Sequence, residues 1–420
     1  MEYIKKEYPS FDLHMINTDK FKTISVEVIF SREIKKDEIT IVNFLSSLLA
    51  YTSKKYDTKL KFGQRMEELY ASRVFTNCYR IGNLFNIDFN LKFLNEKYSD
   101  NNLFNEILDF LKEAIFNPNV KNNEFDETSF NVVKNNEISQ IKRFKEDVRA
   151  YSKLRLLELT DKEAPFSYNM KGYLEDLEKI TRKSLYTFYK EFLKSNKVDI
   201  YIVGNLDVAK TEKLIKEKFA FESDKKKINH LVNWKNNRKE LQEFVENDNT
   251  NQAKLTISCR IKNLTEYERL YVASIYHLIL GGTADSKFFQ NIREKFSLCY
   301  YVSTTLHKAD NILLINSGIS KDNYSKIMIL INKEMDDMRK GIFTEEDIDK
   351  AKKYCLSTIS QVEDNPNEII SSYYSMNLLN IKSLDEMKKK IMAVTKDDIV
   401  KFAKKVELDT VLLLGGDRKW

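Results

Sequence analysis

The sequence predicts an α+β fold with two homologous half-domains, each a largely antiparallel sheet with helices packed on one face. One observation behind this prediction is composition: of 420 residues, 42% are hydrophobic and 12% aromatic, but only 10 are Gly and 4 are Pro. Few residues therefore interrupt helices or strands, and the apolar content is enough for sizeable cores. The other observation is an internal repeat with a period of about 200 residues. The chain length also fits about two domains.

The repeat is clearest where a helical segment leads into a strand that ends at a glycine. In the first copy, Thr181 precedes a helical pattern and then the strand-like run 198–204. In the second copy, Thr395 precedes the same arrangement, which ends in the run 410–415. Threonine is a good N-cap residue, and in both copies the apolar spacing changes from helical to strand-like after it. The two segments are therefore predicted to have the same helix–strand structure.

Further matches occur upstream in the same order. Strand-like segments open both copies, at residues 21–30 and 252–261, and helical patterns follow each of them. The tripeptide Ile-Ser-Gln lies inside a long helical stretch at residues 138–140 and again at residues 359–361. Any α+β protein can repeat such patterns by chance, but the shared order of these features favours duplication.

A polar, charged run at residues 225–245 separates the two copies. We therefore predict an N-terminal repeat at residues 1–224, a linker at 225–245 and a C-terminal repeat at 246–420. The 69 basic and 63 acidic residues give a formal net charge of +6 and are interspersed along the chain. Such spacing is typical of solvated helix faces, so no nucleic-acid partner is expected.

Cysteine usage and hydropathy indicate the compartment. The four cysteines are scattered, with no Cys-x-x-Cys pair, and the first residues lack the apolar core of a signal peptide. No apolar run reaches the roughly 18 residues that a membrane span needs. These features predict a cytoplasmic protein with reduced thiols and no membrane partner.

One segment carries a recognisable signature. Residues 279–302 read ILGGTADSKFFQNIREKFSLCYYV, with a predicted short helix from Ser286 to Lys295 that buries Phe296 among its apolar residues. The Leu-Gly-Gly, the run Ser-x-x-Phe-Gln-x-Ile-Arg-Glu-Lys and the following Tyr strongly resemble the second-half motif of the pitrilysin/insulinase family of zinc metallopeptidases. The repeat and the half-length of about 210 residues fit the same family. The resemblance is closest to its short members, which work in pairs.

In that family an Arg and a Tyr at this spacing hold the backbone of the substrate peptide and stabilise the developing oxyanion. Arg293 and Tyr300 occupy these positions, and a guanidinium and a phenol are suitable donors to carbonyl groups. From the residues alone, Arg293 could equally pair with Glu294 on a surface turn, and Tyr300 could be an ordinary strand aromatic. The peptide-contact role is therefore what the resemblance implies.

The zinc-binding half of the family pattern is missing. Members that cleave peptides carry His-x-x-Glu-His, in which two imidazoles bind zinc and the Glu activates the bound water. The histidines of this chain, at 14, 230, 277 and 307, include no pair four residues apart. The resemblance places Asn43 and Ser47 where the histidines belong and Ser46 where the base belongs.

Glu137 matches the later Glu that completes the family's zinc site. Amide and hydroxyl groups are weak zinc ligands compared with imidazole, so we expect no metal, no cofactor and no catalytic residue in this chain.

The resemblance thus implies a non-catalytic subunit that would hold an unfolded, extended peptide beside a zinc-bearing homologous subunit. Zinc is then expected only in that partner, and the chain alone should be inactive. A different interpretation stays open, in which the chain is a stand-alone peptide-binding or scaffold protein, either alone or as a homodimer, with no role in hydrolysis. An autonomous peptidase ranks last because the zinc ligands are absent.

Overall fold

The computed structural model describes residues 1–99, 102–222, 228–236, 238–247 and 252–415. The strands are β1 (Glu2–Glu7), β2 (Asp12–Asn17), β3 (Thr23–Glu33), β4 (Arg73–Ile81), β5 (Leu84–Leu94), β6 (Val120–Lys121), β7 (Glu124–Phe125), β8 (Lys197–Gly204), β9 (Gln242–Glu246), β10 (Ala253–Ile261), β11 (Cys299–His307), β12 (Ile312–Ile319) and β13 (Val406–Leu414).

The helices are α1 (Ile39–Leu49), α2 (Lys59–Glu68), α3 (Leu103–Phe116), α4 (Glu127–Phe144), α5 (Val148–Asp161), α6 (Leu174–Lys179), α7 (Arg182–Ser195), α8 (Val208–Lys218), α9 (Ala273–His277), α10 (Tyr324–Lys340), α11 (Glu345–Val362), α12 (Pro366–Leu378), α13 (Leu384–Met392) and α14 (Lys396–Ala403). In the part of the chain that the structure describes, three segments are wound as π-helices, at Glu268–Val272, Leu278–Gly282 and Phe289–Lys295. Within the described ranges, no helix is both long and apolar enough to cross a membrane.

Two compact units divide the chain, and each takes one stretch from the other half of the sequence. The first unit comprises Met1–Phe144, Asn169–His230 and Val362–Ser375. The second comprises Lys145–Tyr168, Leu231–Gln361 and Met376–Trp420. The repeat bounds at 1–224, 225–245 and 246–420 stay a prediction, and residues 225–227 and 237 of the predicted linker lie outside the described residues.

Each unit contains one large sheet. In the first unit the strand order is β1-β2-β8-β3-β5-β4, and only the β2–β8 pair is parallel among these neighbours. In the second unit the order is β11-β12-β10-β13-β9, and only β13–β9 is parallel. The predicted α+β class with two half-domains and largely antiparallel sheets is thereby confirmed. Strands β4 and β11 each lie at an edge, where one side of the backbone lacks a neighbouring strand of the sheet.

The first unit buries apolar groups on both faces of its sheet. On one face, Phe30 of β3 packs against Phe192 of α7, with ring centroids 4.8 Å apart. On the other face, Ile29 and Tyr201 belong to a buried cluster with Tyr374, which comes from the second half of the sequence. The rings of Tyr201 and Tyr374 lie 6.1 Å apart. Residues 362–375 therefore complete the core of this unit.

The second unit is built in the same way with a helix from the first half of the sequence. Leu156 of α5 packs with Ile312 and Leu412 on one face of the sheet. Tyr276 of α9 and Phe402 of α14 are both buried, with ring centroids 5.1 Å apart. The sequence did not predict this exchange of segments, because an amphipathic helix shows which of its faces is buried but not which sheet it covers.

The predicted helix–strand repeat is confirmed by its caps. The Thr181 side chain accepts a hydrogen bond from the Ser184 amide at the start of α7. Thr395 accepts one from the Asp398 amide at the start of α14. Both caps are capping boxes, in which the third residue of the helix returns a hydrogen bond to the cap, and each helix leads into a central strand, β8 or β13.

Candidate functional site

Arg293 and Tyr300 are brought together in the second unit, at the end of the π-helix Phe289–Lys295 and the start of β11. Arg293 Nε donates a hydrogen bond to the Tyr300 carbonyl at 3.0 Å. Its Nη1 donates to Glu294 Oε1, also at 3.0 Å. The guanidinium carbon lies 4.6 Å from the centroid of the Phe289 ring. These three contacts fix the orientation of the guanidinium. One of them is the pairing with Glu294, which the residues alone leave open as the alternative to a peptide contact.

A β-bulge turns the Tyr300 side chain outwards. In the β11–β12 ladder Cys299 pairs with Ile319 and Tyr301 pairs with Gly318, so Tyr300 is the extra residue. Bulges leave one residue without a partner and re-aim its side chain. The Tyr300 side chain is 70% exposed, and its hydroxyl makes no hydrogen bond to any residue that the structure describes. The phenol is therefore available to a ligand.

The turn between helix and strand sets the position of this bulge. Ser297 has a φ of 50°, a left-handed conformation that is uncommon for a residue with a side chain. Its amide donates to the Arg293 carbonyl at 3.0 Å, and the Leu298 amide donates to the Ile292 carbonyl at 3.2 Å. These two hydrogen bonds close the end of the helix and order the turn that joins Arg293 to Tyr300.

An open cavity of about 520 Å³ adjoins the pair. It is lined by Arg293, Glu294, Ser297, Leu298, Cys299, Tyr300, Ser320 and Asn323. Burial raises the pKa of the Cys299 thiol, so the thiol stays protonated at neutral pH and is a poor nucleophile. The lining is mostly polar and suits main-chain amide and carbonyl groups better than a large apolar side chain.

The degenerate metal-site positions lie in the first unit, on the neighbouring helices α1 and α4. Ser47 Oγ donates to Glu137 Oε1 at 2.7 Å. Asn43 Nδ2 donates to the Met170 carbonyl at 2.9 Å. Ser46 is buried, and its carbonyl accepts a hydrogen bond from Thr76. The structure thus brings Ser47 and Glu137 into direct contact and directs the amide nitrogen of Asn43 to the main chain.

These residues do not fit a zinc ion. A protein zinc site needs three or four nitrogen, sulfur or carboxylate ligands, and this position offers the single carboxylate of Glu137. Burial raises the pKa of that carboxyl, although the hydrogen bond from Ser47 acts in the opposite direction. Ser47 therefore provides the donor that a buried carboxylate requires.

Elsewhere in the first unit, Asp12, His14 and Asp199 have ligand atoms within 4.8 Å of one another, the one such group of three among the described residues. Their partners are protein groups. Lys197 Nζ lies 2.6 Å from Asp199 Oδ2, and the Tyr3 hydroxyl lies 2.7 Å from His14 Nδ1. The sequence did not single out this buried network, and it includes none of the degenerate metal-site positions.

A buried carboxyl pair in the first unit was also missed. Glu27 on β3 and Asp88 on β5 are each 5% exposed, and their side chains are hydrogen-bonded to each other. Asp88 also accepts hydrogen bonds from the Asn77 amide at 2.9 Å and from Asn90 Nδ2 at 2.7 Å. Burial raises the pKa of both carboxyls. The sequence signal that could have revealed this pair is the acidic residue within each of the apolar strands β3 and β5.

The chain is similar to four known families or proteins. Residues 179–355 match the family described as the peptidase M16 inactive domain. The probable inactive metalloprotease YmfF of Bacillus subtilis (strain 168) is 26% identical over 418 residues, which are 98% of this chain and 97% of that protein.

The other two similarities are to solved structures. A conserved protein from Enterococcus faecalis V583 superposes with a TM-score of 0.92 at 26% identity, over 100% of this chain and 99% of that one. The peptidase M16 inactive domain from Pseudomonas fluorescens gives a TM-score of 0.79 at 15% identity, over 100% of this chain and 99% of that one. At 15% identity, the similarity to the Pseudomonas fluorescens domain concerns the fold alone.

Proposed function

We propose that this chain is a non-catalytic, peptide-binding subunit of the peptidase M16 family, the pitrilysin/insulinase metallopeptidases, and that it pairs with a zinc-bearing homologue. The observation that carries the proposal is the exposed Tyr300 hydroxyl, turned outwards by a bulge beside an Arg293 that is itself held in place. The first unit supports a non-catalytic role. At the position of a zinc-binding histidine in the family, Ser47 instead donates a hydrogen bond to the Glu137 carboxylate.

The pair would bind an extended peptide through its main chain. The Tyr300 hydroxyl and the Arg293 nitrogens that face the cavity can donate to carbonyl oxygens of the peptide. β11 is an edge strand, so its free side can add a peptide as a further strand. Such binding depends little on side chains, which suits an unfolded substrate of variable sequence.

The zinc ion and the general base would come from the partner, which we infer to be a homologue that retains His-x-x-Glu-His. We also place the protein in the cytoplasm, where the four cysteines, all free in the structure, would stay reduced. The alternative is a stand-alone binding protein, alone or as a homodimer. That alternative would be preferred if the chain binds peptides but no mixture with a homologue hydrolyses them.

Peptide binding and hydrolysis test the proposal separately. The purified chain should bind an unfolded, fluorescently labelled peptide but should not cleave it, and cleavage should appear when a His-x-x-Glu-His homologue from the same organism is added. Tyr300→Phe should weaken binding by about three- to tenfold, the value of one hydrogen bond of roughly 1 kcal/mol. Tyr98→Phe is the matched control, since that phenol is 48% exposed and lies in the first unit.

Two results would overturn the proposal. One is chelator-sensitive cleavage by the purified chain with one zinc per chain. The other is unchanged peptide affinity in both Tyr300→Phe and Arg293→Ala.

A further inference from the structure

A second cavity in the second unit has no part in the proposed function. Its volume is about 270 Å³, and it lies between residues 278–285 and helix α11. It is lined by Leu278, Ile279, Thr283, Ala284, Asp285, Asp347, Lys350, Ala351 and Tyr354, none of which lines the cavity beside Arg293. The volume is at the lower end of the range for ligand sites, about 300–1,000 Å³, so it suits a group the size of one side chain.

The floor and the rim of this cavity differ in chemistry. Leu278, Ile279 and Ala351 are buried and give the floor an apolar surface. Asp285 and Tyr354 are exposed and stand at the rim, where Tyr354 presents 53% of its side chain to solvent. A ligand that fits must therefore combine an apolar group with a polar group that stays near the surface.

The charge at the rim selects the sign of that polar group. The Asp285 carboxylate has no hydrogen bond and no ion pair with any residue that the structure describes. Asp347 accepts hydrogen bonds of 2.8 Å from the Thr344 amide and hydroxyl, neutral donors that leave its negative charge in place. The positive charge of Lys350 is paired with Glu346 at 2.9 Å. It also interacts with Asp285 and Asp347, so one cation faces three carboxylates. The rim is therefore net negative and favours a cation.

We propose that this cavity binds a primary ammonium that carries an adjacent apolar group, such as an aralkyl or branched alkyl amine. The apolar group would cover Leu278 and Ile279, and the ammonium would lie at the rim between the Asp285 carboxylate and the face of the Tyr354 ring. An ammonium gains from a carboxylate and from an aromatic face at the same time. A free amine and the N-terminal residue of a peptide share this chemistry.

The position of the charge excludes a lysine or arginine side chain as the occupant. In those side chains the cation stands at the far end of the apolar stem. Inserting the stem would place the charge against the buried Leu278 and Ile279, and an unpaired charge in an apolar site is costly. The cavity thus distinguishes amines by where the charge stands along the molecule.

Calorimetric titration of the full chain with phenethylamine tests the proposal. We expect saturable binding, at least tenfold weaker binding of N-acetylphenethylamine, and no binding of 3-phenylpropionate. Asp285→Asn should weaken phenethylamine binding by about threefold, the value of an exposed ion pair, and Tyr354→Ala should weaken it by a similar factor. Glu345→Gln is the control. It removes a negative charge from the end of α11 that carries Asp347, but Glu345 does not line the cavity.

A peptide amide beginning with Phe, with a free or an acetylated N-terminus, separates the two sources of the ligand. If the free peptide binds more tightly than the acetylated peptide, and Asp285→Asn removes this difference in affinity, the ligand is a peptide N-terminus. If phenethylamine binds but neither peptide does so at this site, the ligand is a free amine. Equal binding of phenethylamine and its acetylated form, or no binding of either, would overturn the proposal. Arg293→Ala should leave phenethylamine binding unchanged, so failure of this site and failure of the proposed function are distinguishable.

Discussion

Replacing Glu27 by Gln should make the folded chain more stable at neutral pH while changing little at acid pH. Glu27 is 5% exposed, and it hydrogen-bonds to Asp88, so its proton is favoured in the folded state. The glutamine amide keeps the size of the side chain and can still donate to Asp88. It does not titrate, so the folded chain no longer has to take up a proton from neutral solution.

The size of the effect follows from proton linkage. The pKa of Glu27 is raised from an ordinary value of 4.5, so its contribution to stability is complete below that pH and is lost as the pH rises towards the folded-state pKa. One proton changes the free energy of unfolding by about 1.4 kcal/mol per pH unit. Between about pH 4.5 and pH 7.5 the wild-type chain should therefore lose at most about 4 kcal/mol through this group.

Urea unfolding at pH 5, 6, 7 and 8 measures this difference. The gain of Glu27→Gln over the wild type should be smallest at pH 5 and should grow with each step, at up to about 1.4 kcal/mol per unit. Glu33→Gln is the matched control, because Glu33 is exposed on the same strand. If Glu27→Gln and the wild type differ by the same amount at every pH, Glu27 does not take up a proton on folding and the reasoning is wrong.

Two further predictions concern the degenerate metal site. Ser47→Ala should leave the buried Glu137 carboxyl without its 2.7 Å donor and cost about 1–3 kcal/mol in urea unfolding, whereas Ser139→Ala, on the exposed side of the same helix as Glu137, should cost less than about 0.5 kcal/mol. The triple substitution Asn43→His, Ser46→Glu and Ser47→His should create a zinc site, because positions 43 and 47 lie on one face of α1 beside Glu137. Zinc binding is measured as the zinc content of the triple variant after dialysis. If the triple variant keeps its zinc when Glu137→Gln is added, Glu137 is not a ligand and the assigned geometry is wrong.

Local signals in the sequence predicted the repeated parts of the fold. Thr181 and Thr395 cap helices before central strands because capping depends on a few neighbouring residues. The burial of Phe296 was predicted wrongly, since this side chain is 49% exposed. The prediction assumed α-helical spacing, but Phe289–Lys295 is wound as a π-helix, which rotates successive side chains by a smaller angle.

The remaining features depend on contacts between distant parts of the chain. The Arg293–Tyr300 spacing was readable, but the bulge that exposes Tyr300 depends on the register between β11 and β12. The Glu27–Asp88 pair needs β3 and β5 to be neighbours, which no local pattern specifies. The same holds for residues 145–168 and 362–375, whose helical patterns do not identify the sheet they cover.

The two sets of site residues differ in what their side chains do for the folded chain. Ser47 and Glu137 are buried or half-buried and satisfy each other, so changing either should alter stability first. The Tyr300 side chain is mostly exposed, and its hydroxyl is not used by the described fold. Removing that hydroxyl should therefore leave unfolding unchanged, and any loss of peptide affinity can be assigned to binding. This separation makes Tyr300→Phe, rather than a change at the former metal position, the decisive variant for function.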